Sequence, residues 1–268
     1  MSKTVFKILA GCAAGLALGG AAYKRQAQNY YDQHFSASFS NDFVDHNFVV
    51  KTVDGLELKG LFLEKGATHR YLICINDRLS SLMKMLDFGR GFWQLAYNVI
   101  LFDGRGQGLS EGVETMGLKE QFDVASMVDW VLARDPEASI SLFGIGTGAL
   151  AALMALRGAI AVDSLILVNS PDRLLADAPR YLLPAISAII KKELAVSLDD
   201  NKLSAALACA RVPICFVAEE RYREESLELF EQYQGARKYY PLHTDLAALS
   251  NDPVFFKNIH DFIISIVE

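Results

Sequence analysis

The chain has 268 residues, 51% of them hydrophobic, and a formal net charge of −6, which suits one globular domain with a substantial core and a short appendage. The acidic balance and the lack of a Lys/Arg cluster exclude a surface that tracks a nucleic-acid backbone. The four cysteines, Cys12, Cys74, Cys209 and Cys215, fit neither a zinc site nor a dense disulfide framework, so no metal and no cofactor is expected.

Lys3 and Lys7 precede an uncharged apolar run, 8–23, which Lys24 and Arg25 close. Val5 and Phe6 lengthen it toward the about 17–25 residues that a spanning helix needs. Two readings compete: a membrane anchor retained over 1–25, and a signal peptide cut after Ala22. The closing basic pair and the polar stalk over 26–46 favour the anchor. The expected partner is therefore a membrane, reached through one N-terminal helix. The domain is expected on the extracytoplasmic side, or secreted if the segment is cut. Positive charge at both ends leaves the orientation undetermined.

The domain itself is expected over 47–268. Segments 47–53 and 56–62 read as strands joined by Asp54-Gly55, a strong hairpin signal. Short apolar strands follow at 70–75, 98–102, 140–143, 164–168, 213–217 and 237–240. Helical spacing separates them at 81–97, 118–134, 147–157 and 224–234, and an amphipathic helix closes the chain at 253–267. A hairpin followed by alternating strands and helices implies an α/β fold: a mostly parallel sheet with helices on both faces. The stretch 172–211 breaks the rhythm and is expected to form a small helical cap over the crevice at the strands' C-terminal ends. Its apolar residues, such as Tyr181 and Leu182, could line a pocket for a small hydrophobic ligand. Ordinary packing of cap on core is the plainer reading.

Four segments, in order, resemble the α/β-hydrolase superfamily. Asp103-Gly-Arg-Gly-Gln-Gly-Leu-Ser110 resembles the turn after the fourth strand. Gly144-Ile-Gly-Thr-Gly148 falls where the nucleophile elbow belongs. Val212-Pro-Ile-Cys-Phe-Val217 resembles the strand leading to the catalytic acid, and Pro241-Leu-His-Thr-Asp245 the loop of the catalytic histidine. The chain looks most like membrane-anchored bacterial hydrolases of the serine-aminopeptidase and prolyl-oligopeptidase-like kind. The resemblance implies the α/β-hydrolase fold and a Ser-His-acid triad.

This sequence departs from that triad. The nucleophile position of Gly-x-Ser-x-Gly maps to Gly146, which has no side chain to attack with. Thr147 would supply an oxyanion-hole N–H and is expected to cap its helix with its hydroxyl. Asn76 and Asp77 replace the His-Gly of the oxyanion loop, and a carboxylate there opposes developing negative charge. Arg78 is expected to pair with Asp77. The acid position falls near Tyr222, which leaves Asp172, Glu219 and Glu220 as candidates. Exposed loop charges beside Arg221 and Arg223 are the plainer reading of the two glutamates. His243 is the one triad residue that remains.

Three functions follow. The preferred one is a binding or scaffolding module at a membrane, without serine-hydrolase activity. The second is a hydrolase or lyase-type enzyme that uses His243 as general base. The third is an esterase or peptidase with a relocated nucleophile, Ser170 or Thr147.

Overall fold

A computed structural model describes residues 44–170 (without 79 and 116), 188, 191, 192 and 203–267. The apolar run 8–23, the stalk as far as 43, Asp172 and most of the expected cap lie outside the described residues. Among those described, no helix is long and apolar enough to cross a membrane.

Eight strands form one sheet in the order β1-β2-β4-β3-β5-β6-β7-β8. β1 (Val44–Lys51) and β2 (Glu57–Glu64) are the expected antiparallel hairpin. Thr52 accepts the Leu56 N–H on its hydroxyl, 3.0 Å, and donates to Asp54 Oδ1, 2.6 Å, which closes the turn between them. β2 runs antiparallel to β4 (Asn98–Phe102). From there β3 (Arg70–Ile75), β4, β5 (Ser139–Ile145), β6 (Ser164–Val168), β7 (Ile214–Glu219) and β8 (Arg237–Leu242) are all parallel.

The strand residues alternate between two cores, as period-two side chains must. Tyr71, Ile73 and Ile75 of β3 join one cluster, and Leu72 and Cys74 join the other. The first cluster is covered by α2 (Glu120–Arg134), α3 (Thr147–Ala155), α4 (Leu203–Cys209) and α5 (Arg223–Gln232). The second is covered by α1 (Leu86–Gln94) and α6 (Pro253–Val267), whose Phe88, Phe92, Phe255 and Phe256 form an edge-to-face aromatic group. Each such ring contributes about 1.5–3 kcal/mol by burial. Both strand faces are apolar because both are covered, which is why the strands read as unbroken hydrophobic runs.

Three expectations shift. The first strand begins at Val44, so the last stalk positions belong to the sheet. The helix expected over 81–97 starts with a 3-10 turn, Leu82–Met85. The end of the expected cap is α4, whose Ala206 and Leu207 are buried in the main core, so residues 203–209 belong to the helical layer on that face of the sheet. Cys74 and Cys215 are buried and Cys209 is exposed, all as free thiols.

Candidate functional site

The C-terminal end of β5 turns directly into α3 at Gly146. Its backbone has φ 55° and ψ −119°, in the left-handed half of conformational space where a residue with a Cβ is strained. The frame around it is set by sterics. A Cβ at Gly144 would lie 2.6 Å from Ala149 Cα, and one at Gly148 would lie 2.4 Å from the Asn76 carbonyl oxygen. The chain therefore folds the tight strand-to-helix elbow that the resemblance implied, and the residue at its tip is Gly146.

The loop after β3, where the oxyanion loop is expected, fills the space in front of that tip. A Cβ at Gly146 would meet Asp77 Oδ1 at 2.4 Å and Cγ at 2.5 Å. Asp77 Oδ1 accepts the Thr147 N–H at 2.9 Å, the Arg78 N–H at 2.8 Å and the Thr147 hydroxyl at 3.0 Å. The Thr147 hydroxyl in turn accepts the Arg78 N–H, 2.8 Å. Two backbone N–H groups converging on one oxygen are what an oxyanion hole consists of. Here the oxygen belongs to the protein's own carboxylate. The same contact satisfies an orphan donor at the start of α3 and places negative charge at its positive end.

Two expectations are corrected by this geometry. Arg78 meets Asp77 through its backbone N–H rather than its guanidinium. Thr147 does not cap its helix: the cap is Gly146, without a side-chain bond, and the Thr147 hydroxyl is tied into the Asp77 loop. That loop is braced from behind. Gln107 Nε2 donates to the Asp77 carbonyl at 3.0 Å and to Glu114 Oε1 at 2.9 Å, while its Oε1 accepts the Gly104 N–H at 3.1 Å. Asn76, in the histidine's place, donates to the Phe102 carbonyl at 3.2 Å, and its buried Oδ1 has no partner.

The 103–110 turn holds this side of the crevice. Arg105, buried, is bound to Asp123 of α2 through Nη2–Oδ1 at 2.7 Å and Nε–Oδ1 at 3.0 Å, and to Asp54 of the hairpin at 2.8 Å. Ser110 donates to the Asp103 carbonyl, 2.6 Å, and accepts the Lys59 N–H, 2.9 Å. Asp103 accepts the Leu82 N–H at 2.7 Å, and burial pushes its carboxyl up to about 6. The Asp-x-Arg-Gly pattern thus locks hairpin, turn and α2 together without presenting a reactive group.

His243 follows β8 and is exposed. It faces a cleft of about 430 Å3 lined also by Glu219, Glu220, Arg221, Thr244 and Asp245. Among the described residues no side chain is hydrogen-bonded to its imidazole. Glu219 corrects its plainer reading: it is 6% exposed, not a free loop charge. Its Oε1 accepts the Leu246 N–H at 2.6 Å and its Oε2 the Arg221 Nε–H at 2.7 Å, so both oxygens are engaged by partners other than His243. Glu220 is exposed and pairs with Arg223 at 3.2 Å, as expected of a surface charge. Tyr222 lies in the 3-10 turn Glu220–Tyr222 that follows β7.

Ser170 is 1% exposed and its hydroxyl has no hydrogen-bond partner among the described residues, so none of their bases reaches it. No group of three or more His, Cys, Asp or Glu among the described residues could hold a metal. Gln107, which braces the loop, and Asn169, whose Oδ1 accepts the Glu219 N–H at 2.9 Å from a backbone at φ 49°, were not singled out from the sequence. Gln107 fills an open position of the 103–110 motif, and nothing in the local sequence marks Asn169.

Comparison with known proteins agrees with this architecture. The family model of the X-Pro dipeptidyl-peptidase (S15 family) matches residues 21–170. An esterase of Pyrococcus furiosus superposes with a TM-score of 0.69 at 18% identity, over 87% of this chain and 95% of its own. A dienelactone hydrolase of Anabaena variabilis gives 0.62 at 12% identity, over 84% and 97%. Est1E of Butyrivibrio proteoclasticus, in a structure with bound ferulic acid, gives 0.62 at 13% identity, over 82% and 99%. No curated protein matches in sequence.

Proposed function

Since the chain belongs to the X-Pro dipeptidyl-peptidase (S15) family of the α/β-hydrolase superfamily, we propose that it is a member without serine-hydrolase activity, acting as a binding or scaffolding module at a membrane. The observation that carries this reading is the Asp77 carboxylate, bonded to both N–H donors of the oxyanion site and overlapping the place of a nucleophile at Gly146. Acyl transfer needs an attacking group and donors free to receive the oxyanion. Losing a single donor costs about 10²–10³ in rate, and here both are engaged by an anion that repels a second one. The esterases of the same fold are active proteins, so fold alone does not decide the matter. The membrane role is supported by the apolar run 8–23 between basic residues.

The cleft beside His243 favours one second reading, in which the imidazole acts as general base on water or on an acidic substrate proton. One experiment separates the two. The full chain in detergent micelles is assayed with activated esters and with X-Pro amides. Rates at buffer background, unchanged by His243→Ala, support the binding role. Turnover that His243→Ala abolishes sinks it in favour of the second reading.

A further inference from the structure

A narrow cavity of about 20 Å3 lies behind the loop after β3, walled by that loop, the 103–110 turn and the first turns of α2 and α3. Its polar wall includes Asn76, Gln107, Glu114, Glu120, Asp123 and Thr147. The donors among them are already committed. Gln107 Nε2 donates to the Asp77 carbonyl and to Glu114, Asn76 Nδ2 to the Phe102 carbonyl, and the Thr147 hydroxyl to Asp77 Oδ1. The wall therefore offers acceptors. Asn76 is 4% exposed, and its Oδ1 has no hydrogen-bond partner among the described residues. A buried amide oxygen left unpaired carries its full desolvation penalty. Glu120 accepts the Thr115 N–H on one oxygen and the Thr115 hydroxyl on the other, which leaves each oxygen a lone pair.

We propose that this cavity binds one water molecule, which donates one hydrogen to Asn76 Oδ1 and the other to the Glu120 carboxylate. A water needs roughly 10–15 Å3 of such space and two to four polar partners, and the cavity supplies both. Its two donors match a wall of acceptors, where an anion would meet carboxylates. Burial raises the Glu120 carboxyl, and a hydrogen bond donated to its charged form offsets that. A divalent metal fits less well, because it requires several oxygen ligands. Among the described residues no group of three or more His, Cys, Asp or Glu could hold one. The water ties the loop that carries Asp77 to α2, a bridge nearly as good in enthalpy as a direct hydrogen bond. This site does not depend on the function proposed above, which is tested by turnover.

The test is a crystal structure of the full chain, grown from rubidium chloride at a resolution that shows ordered water. It is paired with oxygen-17 relaxation dispersion, which counts long-lived waters in solution. One density peak is expected within hydrogen-bond reach of both Asn76 Oδ1 and Glu120, without a rubidium anomalous signal. Asn76→Leu, of similar size but without the acceptor, is expected to hold one long-lived water fewer than the unmodified chain. A cavity without a peak, a peak out of reach of Asn76, or a rubidium signal in its place overturns the proposal. So does an unchanged water count in folded Asn76→Leu. If that variant does not fold, the density in the unmodified chain decides.

Discussion

Asp77 and Gly146 contend for one volume. The carboxylate oxygen lies 2.4 Å from where the Cβ of any other residue at 146 would stand. A real Cβ essentially never sits so close to a non-bonded oxygen, so a side chain at the elbow requires the Asp77 carboxylate to leave its present position and give up its bonds to Thr147 and Arg78. Serine-type catalysis and the present loop are alternatives of the same fold, and this sequence has taken the second at both positions.

Restoring the nucleophile alone is therefore expected to fail. Gly146→Ser adds a clash and a strained φ, costing about 1–3 kcal/mol, which lowers the melting temperature by several degrees for a domain of this size. Asp77→Gly introduced beside it is expected to return most of that stability. Ester hydrolysis is expected to stay at background in both, because among the described residues no carboxylate orients His243. Thermal melts and an activated-ester assay on the two variants check this. Substantial hydrolysis by Gly146→Ser alone would show that the rest of the machinery is intact.

How much of this was legible in the sequence follows from how local each feature is. The Gly144-x-Gly146-x-Gly148 frame and the Asp103–Ser110 motif fold within a few residues, so their resemblance to the α/β-hydrolase pattern was enough to place the elbow and the turn. Asp77 was placed in the oxyanion loop. Its capture of the Thr147 N–H is a contact 70 positions apart in the chain, and it depends on how β3 and α3 converge. Glu219 reads as one charge in an acidic-basic run. Only the return of the chain at Leu246, 27 residues on, explains its burial. Residues 203–209 read as part of an insertion because their apolar spacing does not say which partner they cover.

Arg105 carries the largest expected stability effect. Arg105→Met leaves Asp123, 1% exposed, as an uncompensated buried charge. Breaking such a pair from one side costs about 3–5 kcal/mol. The Asp54 arm adds little, since that side chain is 38% exposed. Urea denaturation of the variant checks the figure, and a loss under 1 kcal/mol would mean that packing rather than the ion pair holds the turn.

Asp103 gives the fold a pH dependence of definite sign. Burial raises its carboxyl from 3.8 to about 6 in the folded chain. A group with a raised folded value contributes stability that is fully present below pH 3.8 and lost as pH rises through about 6. That rise corresponds to about 3 kcal/mol as an order of magnitude. Other carboxylates act in the opposite direction, so the difference from Asp103→Asn is the quantity to measure. Relative to the variant, the unmodified chain is expected to lose stability between pH 4 and pH 7, read by denaturation midpoints. A difference that is flat with pH would remove this assignment.

The most direct test of the occupied oxyanion site is reaction of the full chain with a fluorophosphonate, followed by peptide mass spectrometry. Such a probe phosphonylates a hydroxyl only where a base and free oxyanion donors activate it. No labelled residue is expected, in the unmodified chain and in His243→Ala alike. A single stoichiometric label on Thr147 or Ser170, lost when His243 is replaced, would contradict the inactive reading outright.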